Sequence, residues 1–80
     1  MHVIKVLGSG CASCKRTAER LEKIARELDA SVEVVKVEEL SEIMGYGVMA
    51  TPGVVIDERV VHAGGVPSAL TIRGWLAELS

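Results

Sequence analysis

The chain contains no phenylalanine, and Trp75 and Tyr46 are its only aromatic residues. That scarcity leaves no stacking platform for nucleic-acid bases and means that the core is built from aliphatic side chains. Neither charge sign is in large excess: nine Lys and Arg stand against eleven Asp and Glu, for a formal net charge of −2 and a pI near 5.6. The electrostatic footprint of a nucleic-acid or anionic-membrane binder is therefore missing, and neither partner is expected. No run of about 18 apolar residues occurs. Met1-His2-Val3-Ile4-Lys5 lacks the apolar segment of a secretory signal, so a cytoplasmic protein is the expectation. A phosphate-cradling glycine loop with a lysine, an HExxH pair and a Ser/His/Asp spacing are all absent.

What is present fits one small domain spanning residues 1–80, with 49 % hydrophobic and 25 % charged residues and no linker, repeat or low-complexity stretch. Its two cysteines, Cys11 and Cys14, form a CxxC pair. A disulfide closing so short a loop constrains the unfolded chain little, which in a reducing compartment favours chemistry over a structural staple. The pair follows the apolar run Val3 to Leu7 and the flexible Gly8-Ser9-Gly10. It precedes a stretch in which Ala18, Leu21, Ala25 and Leu28 recur at helical spacing. A helix beginning near Cys11 aims its free N–H groups and positive dipole end at that sulfur and favours thiolate. Lys15 and Arg16 can add to this. Cys14, one turn inward on much the same face, is close enough to Cys11 for a disulfide to open and close in place.

The remaining pattern predicts an α/β chain. Residues 2–7 read as a strand, 11–29 as a helix with outward Glu19/Lys23 and Glu22/Arg26 pairs, and 32–37 as a second strand, which together make a parallel βαβ unit. Residues 38–46 read as a short helix ended by Gly45 or Gly47. Gly53-Val54-Val55-Ile56, the turn Asp57-Glu58-Arg59 and Val60-Val61-His62-Ala63 form an antiparallel hairpin. Pro67 and Ser68 then open a last helix, from which Leu70, Trp75, Leu76 and Leu79 reach a core. The order is βαβαββα, a four-stranded mixed sheet flanked by helices.

Three motifs in this order, Cys11-Ala12-Ser13-Cys14, Ala50-Thr51-Pro52-Gly53 and Gly64-Gly65, make the chain resemble the thioredoxin-like superfamily over essentially its whole length. The likeness is to the small redox-active disulfide proteins that lack the extra amino-terminal β–α unit. The resemblance implies a minimal thioredoxin fold and a cis Pro52 packed beside the CxxC. It implies that the Thr51 N–H and C=O are offered to an extended substrate, as in added strand pairing. It also implies thiol–disulfide exchange, with Cys11 as nucleophile and Cys14 as resolving thiol. The expected partners are disulfide-containing proteins and a thioredoxin-reductase-like or other external electron donor. No cofactor and no resident metal are expected. Tyr46, Val48, Met49 and Val66 are candidates for an apolar groove beside the site.

The chain departs from typical thioredoxins in lacking an aromatic before the CxxC and Gly-Pro within it. Lys5 stands six residues before Cys11, near where they often bury an acid. It also lacks the central Pro-Tyr of many glutaredoxins. Two other functions use the same cysteines: a soft-metal carrier holding Cu(I) between two thiolates, and a non-enzymatic redox sensor. The carrier fold runs βαββαβ and ends in a strand, whereas Ser68 to Leu79 reads as helix. A closed zinc site is short of ligands, because only His2 and His62 remain, far from Cys11 in sequence. Asp57, Glu58, Glu38 and Glu39 fall in a turn and a helix start, where solvation and local backbone preferences account for acids.

Overall fold

The two central strands alternate their side chains between two apolar layers, and the three helices divide between those layers. The computed structural model describes residues 1–79. Its elements are β1 (His2–Leu7), α1 (Ala12–Glu27), β2 (Val32–Val37), α2 (Leu40–Gly45), β3 (Gly53–Ile56), β4 (Arg59–Ala63) and α3 (Ala69–Leu79). They form one sheet in the order β2-β1-β3-β4. β1 pairs with β2 in parallel and with β3 antiparallel, and β4 closes the hairpin with a bulge opposite Val54/Val55. The observed βαβαββα order ends in a helix, unlike the metal-carrier fold.

Ile4 and Val6 of β1 meet Val54 and Ile56 of β3 on one face of the sheet, under Ala18, Leu21, Ile24 and Ala25 of α1 and Ile72 and Leu76 of α3. Leu7 and Val55 point to the other face together with Val37 of β2, where Ile43 of α2 covers them and Tyr46 and Val48 pack at the margin. Two-residue alternation in the strands thus produces a layer of two helices, a sheet and a layer of one helix.

The helical phase differs from expectation at two positions. Leu28, which recurs at helical spacing with the buried Ala18, Leu21 and Ala25, is the C-cap of α1 and 41 % exposed, because the chain turns away at Asp29 with φ of 52°. Leu70 is 81 % exposed, and Ile72 takes the buried position that sequence reading assigned to it. Counting four back from Leu76 lands on Ile72, so Leu70 falls on the far side of α3. Ser68 caps that helix, its Oγ accepting the Thr71 N–H at 3.1 Å.

The β3–β4 turn is two residues, tighter than the expected three, with Asp57 and Glu58 both in the left-handed region at φ of 48° and 69°. Two-residue hairpins take this form because its twist matches the strands, although glycine and asparagine enter it more easily. Side chains hold the turn to β1. Asp57 accepts the Val3 N–H at 3.1 Å and pairs with His2, while Lys5 donates to Glu58 at 2.7 Å and to the Tyr46 hydroxyl at 2.8 Å. Among the described residues, no helix is long and apolar enough to cross a membrane.

Candidate active site

β1 delivers the chain to the CxxC and α1 receives it. Gly8 extends the β1/β2 ladder by one bond, its N–H donating to Val37 O at 2.9 Å, and Gly10 then turns the backbone at φ of 77°. Cys11 is the N-cap of α1: it stands in extended conformation, and its Sγ accepts the Cys14 N–H at 3.1 Å. The cap is thus a sulfur where Ser, Thr, Asp or Asn is usual. Its carbonyl accepts the Lys15 N–H at 3.0 Å, the first bond of the helix. The two cysteines are joined as a disulfide with their Cα atoms 5.1 Å apart. Cys11 is exposed, whereas Cys14 is 5 % exposed, on the face of α1 that carries Thr17, Ala18 and Leu21 into the interior.

Gly8 is the functional-site residue that sequence reading treated only as flexible. A Cβ there would collide with Cys14 Sγ and lie 3.0 Å from Cys14 Cβ, so only glycine lets β1 end against the buried sulfur. The same position is 3.8 Å from Thr51 Cβ, which brings the 50–52 loop against this end of β1. The Thr51–Pro52 bond is cis, Pro52 is fully buried and Thr51 is exposed. Gly64 braces the loop from β4. Its N–H donates to Pro52 O at 2.9 Å, and its φ of 85° and the Ala50 Cβ, 3.3 Å from a would-be side chain, both favour glycine. Three segments distant in sequence, 8–14, 50–52 and 64–65, are thereby brought together.

The expected groove residues divide. Met49 is 99 % exposed and Val66 half-buried, but Tyr46 and Val48 pack on the α2-side core, and the Tyr46 hydroxyl is held by Lys5. Lys5 is therefore committed to the hairpin turn. Hydrogen bonds from Lys5 hold the Glu58 carboxyl below its ordinary range, and those to Glu58 and then Tyr46 hold the Lys5 ammonium above its own. Asp57 is likewise lowered, first by His2 and then by the Val3 N–H.

Beside Cys14 lies a small cleft of about 140 Å³ lined by Val6, Gly8, Gly10, Cys14, Lys15, Lys36 and Glu38, of which Gly10, Lys15, Lys36 and Glu38 are exposed. Glu38 reaches it from the loop between β2 and α2. The Glu38 Oε2 is 3.4 Å from where a Gly10 side chain would begin. Among the described residues, no three His, Cys, Asp or Glu side chains cluster as a metal site.

The thioredoxin-domain family profile matches residues 2–77. A thioredoxin of Methanocaldococcus jannaschii is 40 % identical over 73 residues, covering 91 % of this chain and 84 % of that protein. A thioredoxin of Methanothermobacter thermautotrophicus is 30 % identical over 77 residues, covering 96 % of this chain and all of that one. Among solved structures, the germline-specific thioredoxin Deadhead of Drosophila melanogaster superposes with a TM-score of 0.70 over 99 % of this chain and 81 % of its own, at 20 % identity, a likeness of fold. With a CxxC disulfide at the head of its first helix and relatives matched along nearly its full length, the chain belongs to the thioredoxin family and is a thiol–disulfide oxidoreductase.

Proposed function

We propose that this oxidoreductase reduces disulfides in proteins, with Cys11 as the attacking thiolate and Cys14 as the resolving thiol. The observation that carries the assignment is the asymmetry of the pair: Cys11 is exposed and its Sγ accepts an N–H of the helix start, whereas Cys14 is buried. An exposed sulfur can reach a substrate, and charge on it is favoured by the unsatisfied N–H groups of α1.

In the reduced enzyme Cys11 thiolate attacks one sulfur of the substrate disulfide, and the other leaves as a thiolate that takes a proton from solvent. Cys14, deprotonated, then attacks Cys11 Sγ. The bond between Cys11 and substrate breaks, the second substrate thiolate leaves and is protonated, and the enzyme holds the disulfide. Two electrons have passed to the substrate, and an external dithiol or reductase returns them. The backbone of Thr51, an exposed residue beside the pair, is the proposed ledge for an extended substrate segment, with buried Pro52 next to it.

Reduction of a protein disulfide with a chemical dithiol as electron source tests the reading. The wild-type chain turns over, Cys11→Ser does not, and Cys14→Ser accumulates a mixed disulfide through Cys11. Turnover that survives Cys11→Ser would refute it.

A further inference from the structure

We propose that His62 is a positioning residue for substrate: by donating to Gly65 it sets the Gly64-Gly65 turn, and through that turn the Pro52 carbonyl and the Thr51 ledge beside it. The inference rests on the proposed reading of Thr51 as the place where an extended substrate segment lies.

Gly64 and Gly65 both stand in the left-handed region, at φ of 85° and 71°. Glycine enters that region freely but has many other conformations open to it, so two in succession carry little local preference for any one turn. Bonds from elsewhere must select it. Gly64 N–H donates to Pro52 O at 2.9 Å, and His62 Nε2 lies 3.0 Å from Gly65 O. Because a carbonyl only accepts, Nε2 carries the proton in this contact. Further along, Arg20 of α1 donates to Pro67 O at 2.9 Å and holds the far end of the same connection. His62 is thus the side chain that fixes its middle.

The imidazole is itself held. His62 pairs with Val54 across the β3–β4 hairpin, so its side chain emerges on the face that α1 and α3 cover. There it meets Trp75 of α3, with ring centroids 5.9 Å apart and planes tilted by 60°, an ordinary separation for packed rings. Trp75 in turn packs on the α1-side core. A continuous path therefore runs from the core through Trp75 and His62 to Gly65, and across Gly64 to the loop that carries Thr51. Contact at that loop is close, since a side chain on Gly64 would begin 3.3 Å from Ala50 Cβ. β4 is an edge strand, with no further strand on its outer side to hold the turn instead. The cysteines are fixed by a different set of contacts, Gly8 and the start of α1, so the effect of His62 falls on substrate capture and leaves disulfide exchange alone. A turn less populated in the free enzyme weakens apparent binding by the fraction lost.

Steady-state reduction of a protein disulfide, single-turnover reaction with a small aromatic disulfide, and hydrogen exchange at the Gly64 amide together test the proposal. In His62→Ala, Gly64 exchange speeds by roughly fivefold, the factor that one ordinary hydrogen bond is worth. KM for the protein disulfide rises by about twofold to fivefold with kcat unchanged. The small disulfide, which has no chain to lie along Thr51, reacts at the wild-type rate. His62→Asn, too short to place a donor at the Nε2 position, behaves like His62→Ala. His62→Gln, whose amide nitrogen can stand where Nε2 stood, restores both quantities although it lacks the ring that packs on Trp75. An unaltered KM in His62→Ala and His62→Asn overturns the proposal, whatever happens to Gly64 exchange. Failure of His62→Gln to restore KM overturns it as well, because the hydrogen bond is then not the link. Equal slowing with both disulfides also overturns it, as the signature of a distorted site. A wild-type chain that reacts with the small disulfide but reduces no protein disulfide would instead bring down the ledge itself, and the proposal with it.

Discussion

Substituting alanine at Gly8 and at Gly74 should move stability in opposite directions. At Gly8 the added methyl meets Cys14 Sγ directly and Cys14 Cβ at 3.0 Å, against a helix start pinned by the Cys14 N–H to Cys11 Sγ bond. Neither neighbour is the free end of a flexible side chain, so β1 or α1 must shift. Overpacking of this kind costs about 1–3 kcal/mol. At Gly74, in the middle of α3, a Cβ meets nothing within 4 Å. Alanine there removes backbone freedom from the unfolded chain and should stabilise by roughly 0.5–1 kcal/mol. For a chain of this size each kcal/mol moves Tm by about 4–8 °C. Gly8→Ala should therefore lower Tm by roughly 4–24 °C, and Gly74→Ala should raise it by roughly 2–8 °C. Urea titrations at equal m-value are the assay. Equal midpoints for Gly8→Ala and wild type would refute the close approach of β1 to Cys14.

Further outcomes follow from the same packing. Ile72→Ala should cost about 2–5 kcal/mol, since Ile72 is fully buried between α3 and the sheet, while Leu70→Ala should stay within about 0.5 kcal/mol; denaturant midpoints distinguish them. Ser68→Ala removes the cap of α3 and should cost about 1 kcal/mol in the same assay. Asp57 and Glu58 are held below their ordinary pKa values by His2 and Lys5 respectively. Their contribution to stability is accordingly complete above the ordinary carboxylate range and is lost as pH falls below it through their lowered folded values. Lys5, raised by Glu58, contributes fully below its ordinary value of 10.5 and loses that contribution only on strong alkalinisation. Thermal midpoints measured across the acid range should fall less steeply in Glu58→Gln than in wild type, and high salt should narrow the difference.

The parts of this molecule legible in its sequence are those governed by local periodicity. Alternation in Val3 to Leu7 and Val32 to Val37, the helical recurrence of Ala18, Leu21 and Ala25, and the glycine-rich approach to a CxxC each reflect a rule acting over a few residues. What escapes is decided by contacts between distant segments. Leu28 and Leu70 are as apolar as their buried neighbours, and only the place where each helix starts or stops against the sheet exposes them. Tyr46 reads as a free aromatic near the site until β1 supplies Lys5 to its hydroxyl. Asp57-Glu58 carries no sequence signal for a left-handed turn, because the groups that hold it lie more than fifty residues away at His2, Val3 and Lys5. Gly8 looks like loop flexibility for the same reason, since the sulfur it accommodates is fixed there by tertiary packing.

Lys5 shows how one strand position reconciles charge with the core. Its side chain shares a face with Leu7, so its stem runs along the apolar layer that α2 covers. An unpaired ammonium leaving that layer would be costly. The Glu58 carboxylate and the Tyr46 hydroxyl, both within hydrogen-bond distance, prevent this while fastening the β3–β4 turn and the end of α2 to β1. β3 begins at Gly53, immediately after Pro52, and β4 leads to Gly64, whose N–H holds the Pro52 carbonyl. The hairpin clasped at one end by Lys5 is thus the same hairpin that presents the 50–52 loop beside the cysteines at the other. A lysine here therefore braces the site through the sheet, tying the turn at the far end of the hairpin to the strand that leads into the CxxC.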